Sequence, residues 1–192
     1  MSKVGTLFVI SGPSAVGKST VIERVLQLMP SLTRVVTCTT RAPRTGEVAG
    51  RDYIFLSKED FLQRTQRNEF VEFSEVYGNY YGILLSKIRK VLDAGKDAVL
   101  VINWEGFSKI KDAIQDNVIG VFINPPSLEE LEARIRGRNT DSEETIQRRL
   151  SLAHNDIKHA DIYDTCVTNH DIEDTALQII NYMKKVKSHE VD

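Results

Sequence analysis

Short apolar runs alternate with stretches of helical spacing along most of the chain. Residues 6–10, Thr-Leu-Phe-Val-Ile, show no polar alternation, as expected of a strand covered on both faces; behind them Val21, Ile22, Val25 and Leu26 fall on one side of a helix. Met29-Pro30 ends that helix, because a proline ring clashes with the preceding turn. The β-branched residues of 32–40 predict a strand. Short strands are predicted at 53–56 and 70–73 around a helix near 58–67, with Tyr77-Gly78-Asn79-Tyr80-Tyr81-Gly82 as a closing turn. A helix over 84–94 stopped by Gly95, a strand at 98–102, a helix around Lys109 and a strand at 118–123 follow. Ser127 with Glu130, and Thr140 with Glu143, read as capping boxes for two helices that form a hairpin, carrying Leu128, Leu131 and Ile135, then Ile146 and Leu150. A last strand at 165–168 leads into an amphipathic helix with Ile172, Ala176, Ile179 and Met183. Strands alternating with helices predict an α/β fold with a parallel doubly wound sheet, and residues 37–83 read as a small α+β insert on it.

Between the first strand and the first helix lie Gly12, Pro13, Ser14, Ala15, Val16, Gly17, Lys18 and Ser19, followed by Thr20: Gly, four residues, Gly, Lys, Ser. This is the pattern of a phosphate-binding loop, and its flanks are the ones the chemistry requires. The glycines let successive N–H groups turn inward, the helix N-terminus adds a positive dipole, and Lys18 reaches terminal phosphates as a movable charge. A nucleotide polyphosphate such as ATP fits this loop, with Ser19 as the hydroxyl that holds Mg²⁺.

The 25 basic and 27 acidic residues among 192 give a net charge of −2, so no wholesale attraction to nucleic acid or a membrane is expected and anion binding must come from local clusters. One is a Pro- and Gly-broken loop with Arg41, Arg44 and Arg51; another gathers Arg134, Arg136 and Arg138 with Arg148 and Arg149 in the helical hairpin. Cys38 and Cys166 lack metal-type spacing, and the N-terminal residues show neither a signal-peptide core nor a spanning run, which predicts a cytoplasmic protein. The four histidines show no ligand spacing. Two basic clusters beside a phosphate loop suggest phosphoryl transfer between two phosphate compounds.

Thr37-Cys38-Thr39-Thr40-Arg41-Ala42-Pro43-Arg44-Thr45-Gly46-Glu47, then Gly78-Asn79-Tyr80-Tyr81-Gly82, then Pro125-Pro126-Ser127 closely resemble the guanylate kinases over nearly the whole chain. The resemblance implies a core of the P-loop NTPase type (1–36, 84–124 and 161–192), a GMP-binding insert (37–83) and a helical lid (125–160). It implies GMP phosphate on Arg41, Arg44, Tyr53 and Tyr81, and guanine on Glu72 and Thr37. For ATP it implies Lys18 with the lid arginines Arg134, Arg138 and Arg149 around the transferring phosphate, and Asn169 near the adenine. The chemistry agrees: arginine forks suit phosphate oxygens, and one carboxylate can accept both N1–H and 2-amino hydrogens of guanine, which adenine lacks.

Arg136 and Arg148 receive no role and read as solvated charges. Ile83 stands where the family usually has Ser or Thr, Asn103 where it has Asp, and His170 where it has an acidic residue. Three functions compete: ATP:GMP phosphotransferase, as monomer or homodimer; a catalytically silent guanylate-kinase-like binding module; and a related small-molecule kinase such as a ribose bisphosphate kinase. The complete phosphate loop and lid arginines argue against the second, and Glu72 with Thr37 against the third.

Overall fold

The computed structural model describes residues 4–76, 78–137 and 142–189. Five strands form one sheet in the order β2-β7-β1-β8-β9, with β1 Leu7–Ser11, β2 Thr33–Arg34, β7 Ala98–Val101, β8 Val118–Asn124 and β9 Thr165–Thr168. β2 runs parallel to β7 and β8 parallel to β9. All five residues of β1 are buried, Leu7–Ile10 as an apolar run requires and Ser11 with its hydroxyl donating to the Ile102 carbonyl at 2.6 Å. Four more strands form a second sheet, β4-β3-β6-β5: β3 Cys38–Thr39, β4 Ile54–Phe55, β5 Phe70–Val76 and β6 Asn79–Leu84.

The chain divides into two compact units. One is built on Thr33–Leu100 and Ser108–Val118. It holds the second sheet with α2, Lys58–Gln66, and α3, Leu85–Asp93. Ser57 caps α2 by accepting from the Asp60 N–H at 3.0 Å, and Phe61 is fully buried, its ring stacked 4.3 Å from Phe70 and 5.3 Å from Tyr80. Gly82 is required here because a Cβ would stand 2.8 Å from the Phe70 ring and 2.9 Å from that of Phe61. Cys38, Phe70, Tyr80 and Leu84 complete this apolar face.

The other unit is built on Phe8–Leu32, Val101–Phe107 and the chain from Ile119. It contains α1 Lys18–Leu28, α5 Leu128–Arg136, α6 Glu143–Lys158 and α7 Ile172–His189, with α4, Trp104–Ile114, beginning in it. Arg24 of α1 bonds both carboxylate oxygens of Glu173 on α7, from Nη2 at 2.8 Å and from Nε.

Three sequence expectations are corrected. The 32–40 stretch is two strands in two sheets, since Arg34 pairs with Val99 and Cys38 with Gly82. Residues 79–84 are a strand, and the turn is confined to the neighbourhood of Gly78, at φ 75°. Ser142 caps α6, accepting from the Thr145 N–H at 3.3 Å; Thr140 lies outside the described residues. Ser127 caps α5 as expected, accepting from Glu130 N–H at 3.1 Å.

Candidate nucleotide sites

The loop after β1 has the backbone that its sequence demands. Gly17 precedes α1 at φ 99°, and a Cβ there would meet Asn169 Nδ2 at 2.6 Å; a Cβ on Gly12, at φ 149°, would meet the Ile123 carbonyl oxygen at 2.4 Å. α1 has no side-chain cap and no acidic residue in its first turn. Its first N–H groups are thus left for an external acceptor, and an anion suits them best. The Lys18 ammonium donates to the carbonyls of Gly12 and Pro13 at 2.7 and 2.8 Å, which leaves one of its three hydrogens for a ligand. Burial pushes its pKa down to about 8, opposed by the attraction of Asp156 on α6. Ser14 and Ala15 are half-buried, with Ala15 at φ 66°, and Ser19 and Thr20 are exposed at the start of α1.

Asn169 stands under the loop. Its Nδ2 donates to the Val16 carbonyl at 2.7 Å, its Oδ1 accepts from the Thr175 hydroxyl at 3.0 Å, and only 4% of it is exposed. Both ends of its amide are engaged in bracing the loop, and buried Thr175 is a supporting residue that the sequence did not reveal. Arg134 reaches the Asn169 carbonyl at 3.4 Å and Glu130 at 3.3 Å. Arg149 is half-buried on α6, one helical face shared with Ile146, Ala153 and Asp156. Arg138 lies outside the described residues. Arg136 bonds Glu132 at 2.7 Å and both oxygens of Glu143 at 2.7 and 3.0 Å, so it fastens α5 to α6.

Among the described residues no three His, Cys, Asp or Glu side chains converge to hold a metal ion. A hard cation arriving with phosphates needs few protein ligands, and the exposed Ser19 hydroxyl is a donor of that kind. Asn103 caps α4, its Oδ1 accepting from the Gly106 N–H at 3.0 Å and its Nδ2 donating to Glu105 at 3.3 Å. That is work an amide does as well as a carboxylate.

In the second sheet, register determines which side chains share a face. Tyr81 lies opposite Thr39 and Ser74, Ile83 opposite Glu72, and Thr39 beside Phe55. Alternation then puts Thr37, Thr39, Tyr53, Glu72, Tyr81 and Ile83 on the face away from Phe61. The Tyr53 and Tyr81 rings meet edge to face at 6.2 Å, and the Arg41 guanidinium lies 5.4 Å from the Tyr53 ring centre. Thr37 is half-buried and its carbonyl accepts from Ile54 N–H at 2.9 Å. Arg44 is exposed in the loop. Its N–H donates to Glu47 at 2.7 Å.

The chain matches the family model described as guanylate kinase over residues 4–186. It is 38% identical over 185 residues to the guanylate kinase of Anaplasma phagocytophilum, covering 96% of this chain and 88% of that protein. It is 41% identical over 182 residues to that of Rubrobacter xylanophilus, covering 95% of each. The chain belongs to the guanylate kinase family. The crystal structure of the Anaplasma guanylate kinase superposes with a TM-score of 0.75 at 35% identity over 95% of this chain and 86% of that one. Within this guanylate kinase fold Ile83 is 2% exposed and is the cross-strand neighbour of Glu72, so the departure at this position makes the wall beside the carboxylate apolar. His170 is exposed, a surface change.

Proposed function

We propose that the chain transfers the γ-phosphoryl group of ATP to GMP, giving ADP and GDP, with Mg²⁺ accompanying ATP. The single observation that carries this reading is the aromatic, basic and acidic face of the second sheet, Arg41, Tyr53, Tyr81 and Glu72 together, in a chain whose phosphate loop is complete. Arg41, Arg44, Tyr53 and Tyr81 take the acceptor's phosphate, and Glu72 and Thr37 take guanine. Lys18 and the backbone of residues 12–20 hold the ATP phosphates, with Asn169 bracing that loop. Ser19 would hold Mg²⁺ together with the phosphates, and the ion would supply screening of their charge. Arg134, Arg138 and Arg149 neutralise charge on the moving group.

The acceptor phosphate is already an oxyanion, so no general base is needed; positioning and charge stabilisation supply the rate. Residues 37–83 act as the acceptor insert and 125–160 as the lid. Free Cys38 and Cys166 suit a reducing cytosol, and the reaction places the chain in purine nucleotide metabolism. No helix of the described residues is long and apolar enough to cross a membrane.

A coupled assay of ADP formation with GMP, AMP, dGMP or ribose 1,5-bisphosphate as acceptor tests this. GMP is expected to be the preferred acceptor, with AMP and the bisphosphate giving little turnover. Preference for the bisphosphate, or no turnover with any acceptor, would replace this reading with one of its two rivals.

A further inference from the structure

Glu47 has no role so far, yet its carboxylate bonds two other residues of the acceptor loop, Arg41 and Arg44. Its Oε1 and Oε2 accept from Arg41 Nη2 at 2.8 and 3.0 Å, and Oε2 also accepts from the Arg44 N–H at 2.7 Å. In return the Glu47 N–H donates to the Arg44 carbonyl at 3.0 Å, which closes residues 44–47 as a turn from both ends. The pair is well enclosed, with side-chain exposures of 14% for Arg41 and 19% for Glu47. Arg41 Nη1 meanwhile donates to the Ala42 carbonyl at 2.7 Å, and the guanidinium also bonds the Tyr81 hydroxyl, so at most two of its five N–H donors remain for a ligand.

We propose that Glu47 is a positioning residue for the acceptor phosphate, holding Arg41 and the Arg44 turn in their binding geometry before the ligand arrives. The assignment rests on the GMP reading above. An arginine in open solvent samples many rotamers, and ordering it on binding forfeits affinity. Here the carboxylate, the Ala42 carbonyl and the Tyr53 ring have already ordered it. Arg51 and Asp52 stiffen the other side of the loop: Asp52 Oδ2 accepts from Val48 N–H at 2.8 Å and from Arg51 Nη2 at 2.8 Å, and Arg51 reaches the Gly46 carbonyl at 3.2 Å. Glu47 thus stands as a fixed anion behind the guanidinium, and the phosphate takes the other donors.

Calorimetry with GMP and with guanosine, on wild type, Glu47→Ala and Glu47→Gln, separates this role from simple fold maintenance. Glu47→Ala is expected to weaken GMP by about tenfold, the scale of losing one preorganised side chain, and guanosine by no more than about twofold. Glu47→Gln keeps an oxygen for Arg41 and should lie between. Equal weakening of GMP and guanosine would overturn the assignment and leave Glu47 as a structural residue. Tighter GMP binding in either variant would overturn it differently, making Glu47 an anion that competes with phosphate. Wild-type protein that binds GMP no better than guanosine would instead overturn the acceptor reading itself, and the assignment with it.

Discussion

At the residue scale, the proposed reading rests base selection on Glu72, whose cross-strand neighbour is Ile83. If Glu72 accepts two guanine hydrogens, Glu72→Gln loses charge-assisted bonds worth about 1.5–3 kcal/mol each and turns an amide N–H₂ toward like donors. GMP turnover is expected to fall by at least about a hundredfold. Ile83→Ser offers at most one neutral hydrogen bond, about 0.5–1.5 kcal/mol, so GMP affinity should improve by no more than roughly tenfold, with AMP still rejected. Because Ile83 is 2% exposed, the same change should lower stability by about 2–5 kcal/mol, as loss of a buried isoleucine does. Steady-state kinetics with GMP and AMP, and denaturant melts, check all three outcomes. Wild-type GMP preference in Glu72→Gln would remove Glu72 as the base reader.

At the scale of elements, Arg136 links α5 to α6 through both oxygens of Glu143. Arg136 lowers the Glu143 carboxyl to about pH 2 from its ordinary 4.5, with help from Gln147. A carboxyl depressed on folding stabilises above its unfolded pKa, and that contribution fades as pH falls from about 4.5 toward 2. Glu143→Gln, which keeps a hydrogen-bonding oxygen, should therefore melt below wild type at pH 7, the gap closing as pH drops below 4.5. A gap that does not change with pH would mean that packing, not charge, makes the joint. Such joints were only partly legible in the chain. Thr140 and Ser142 are both competent caps two residues apart, and only the structure shows that Ser142 is used. The phosphate loop was legible because its requirements are local: two glycines at positive φ, one lysine, one helix start. The acceptor residues Thr37, Tyr53, Glu72 and Tyr81 were named by resemblance alone; that they share one side follows only from register, because they come from different strand segments. The β-branched run at 32–40 likewise gave no sign of changing sheets, since composition does not say which strand is the partner. Asn169 was placed by resemblance near adenine, and its bond to Val16 depends on a contact 153 residues away in the chain.

At the scale of the whole molecule, charges nearly cancel, 25 basic against 27 acidic, so a nonspecific anion has little to bind and ligand effects report local sites. The residues proposed for the acceptor lie in the unit built on Thr33–Leu100, the phosphate loop in the unit built on Phe8–Leu32. A ligand at about 100 times its Kd adds roughly 2.7 kcal/mol to the stability of what it binds. For a chain of 192 residues that corresponds to a Tm rise of about 5–10 °C. GMP alone should slow amide exchange within 37–56 and 70–84, and ATP with Mg²⁺ alone within 12–20. Lys18→Ala removes the lysine charge from the loop and leaves the acceptor face untouched, so it should abolish turnover and the ATP effect while the GMP effect persists. Inorganic phosphate at the same ionic strength is the control and should protect neither segment to the same extent. Hydrogen exchange of wild type and Lys18→Ala with each ligand decides the matter: if the variant loses GMP protection as fully as ATP protection, the two nucleotides have been assigned to the wrong residues.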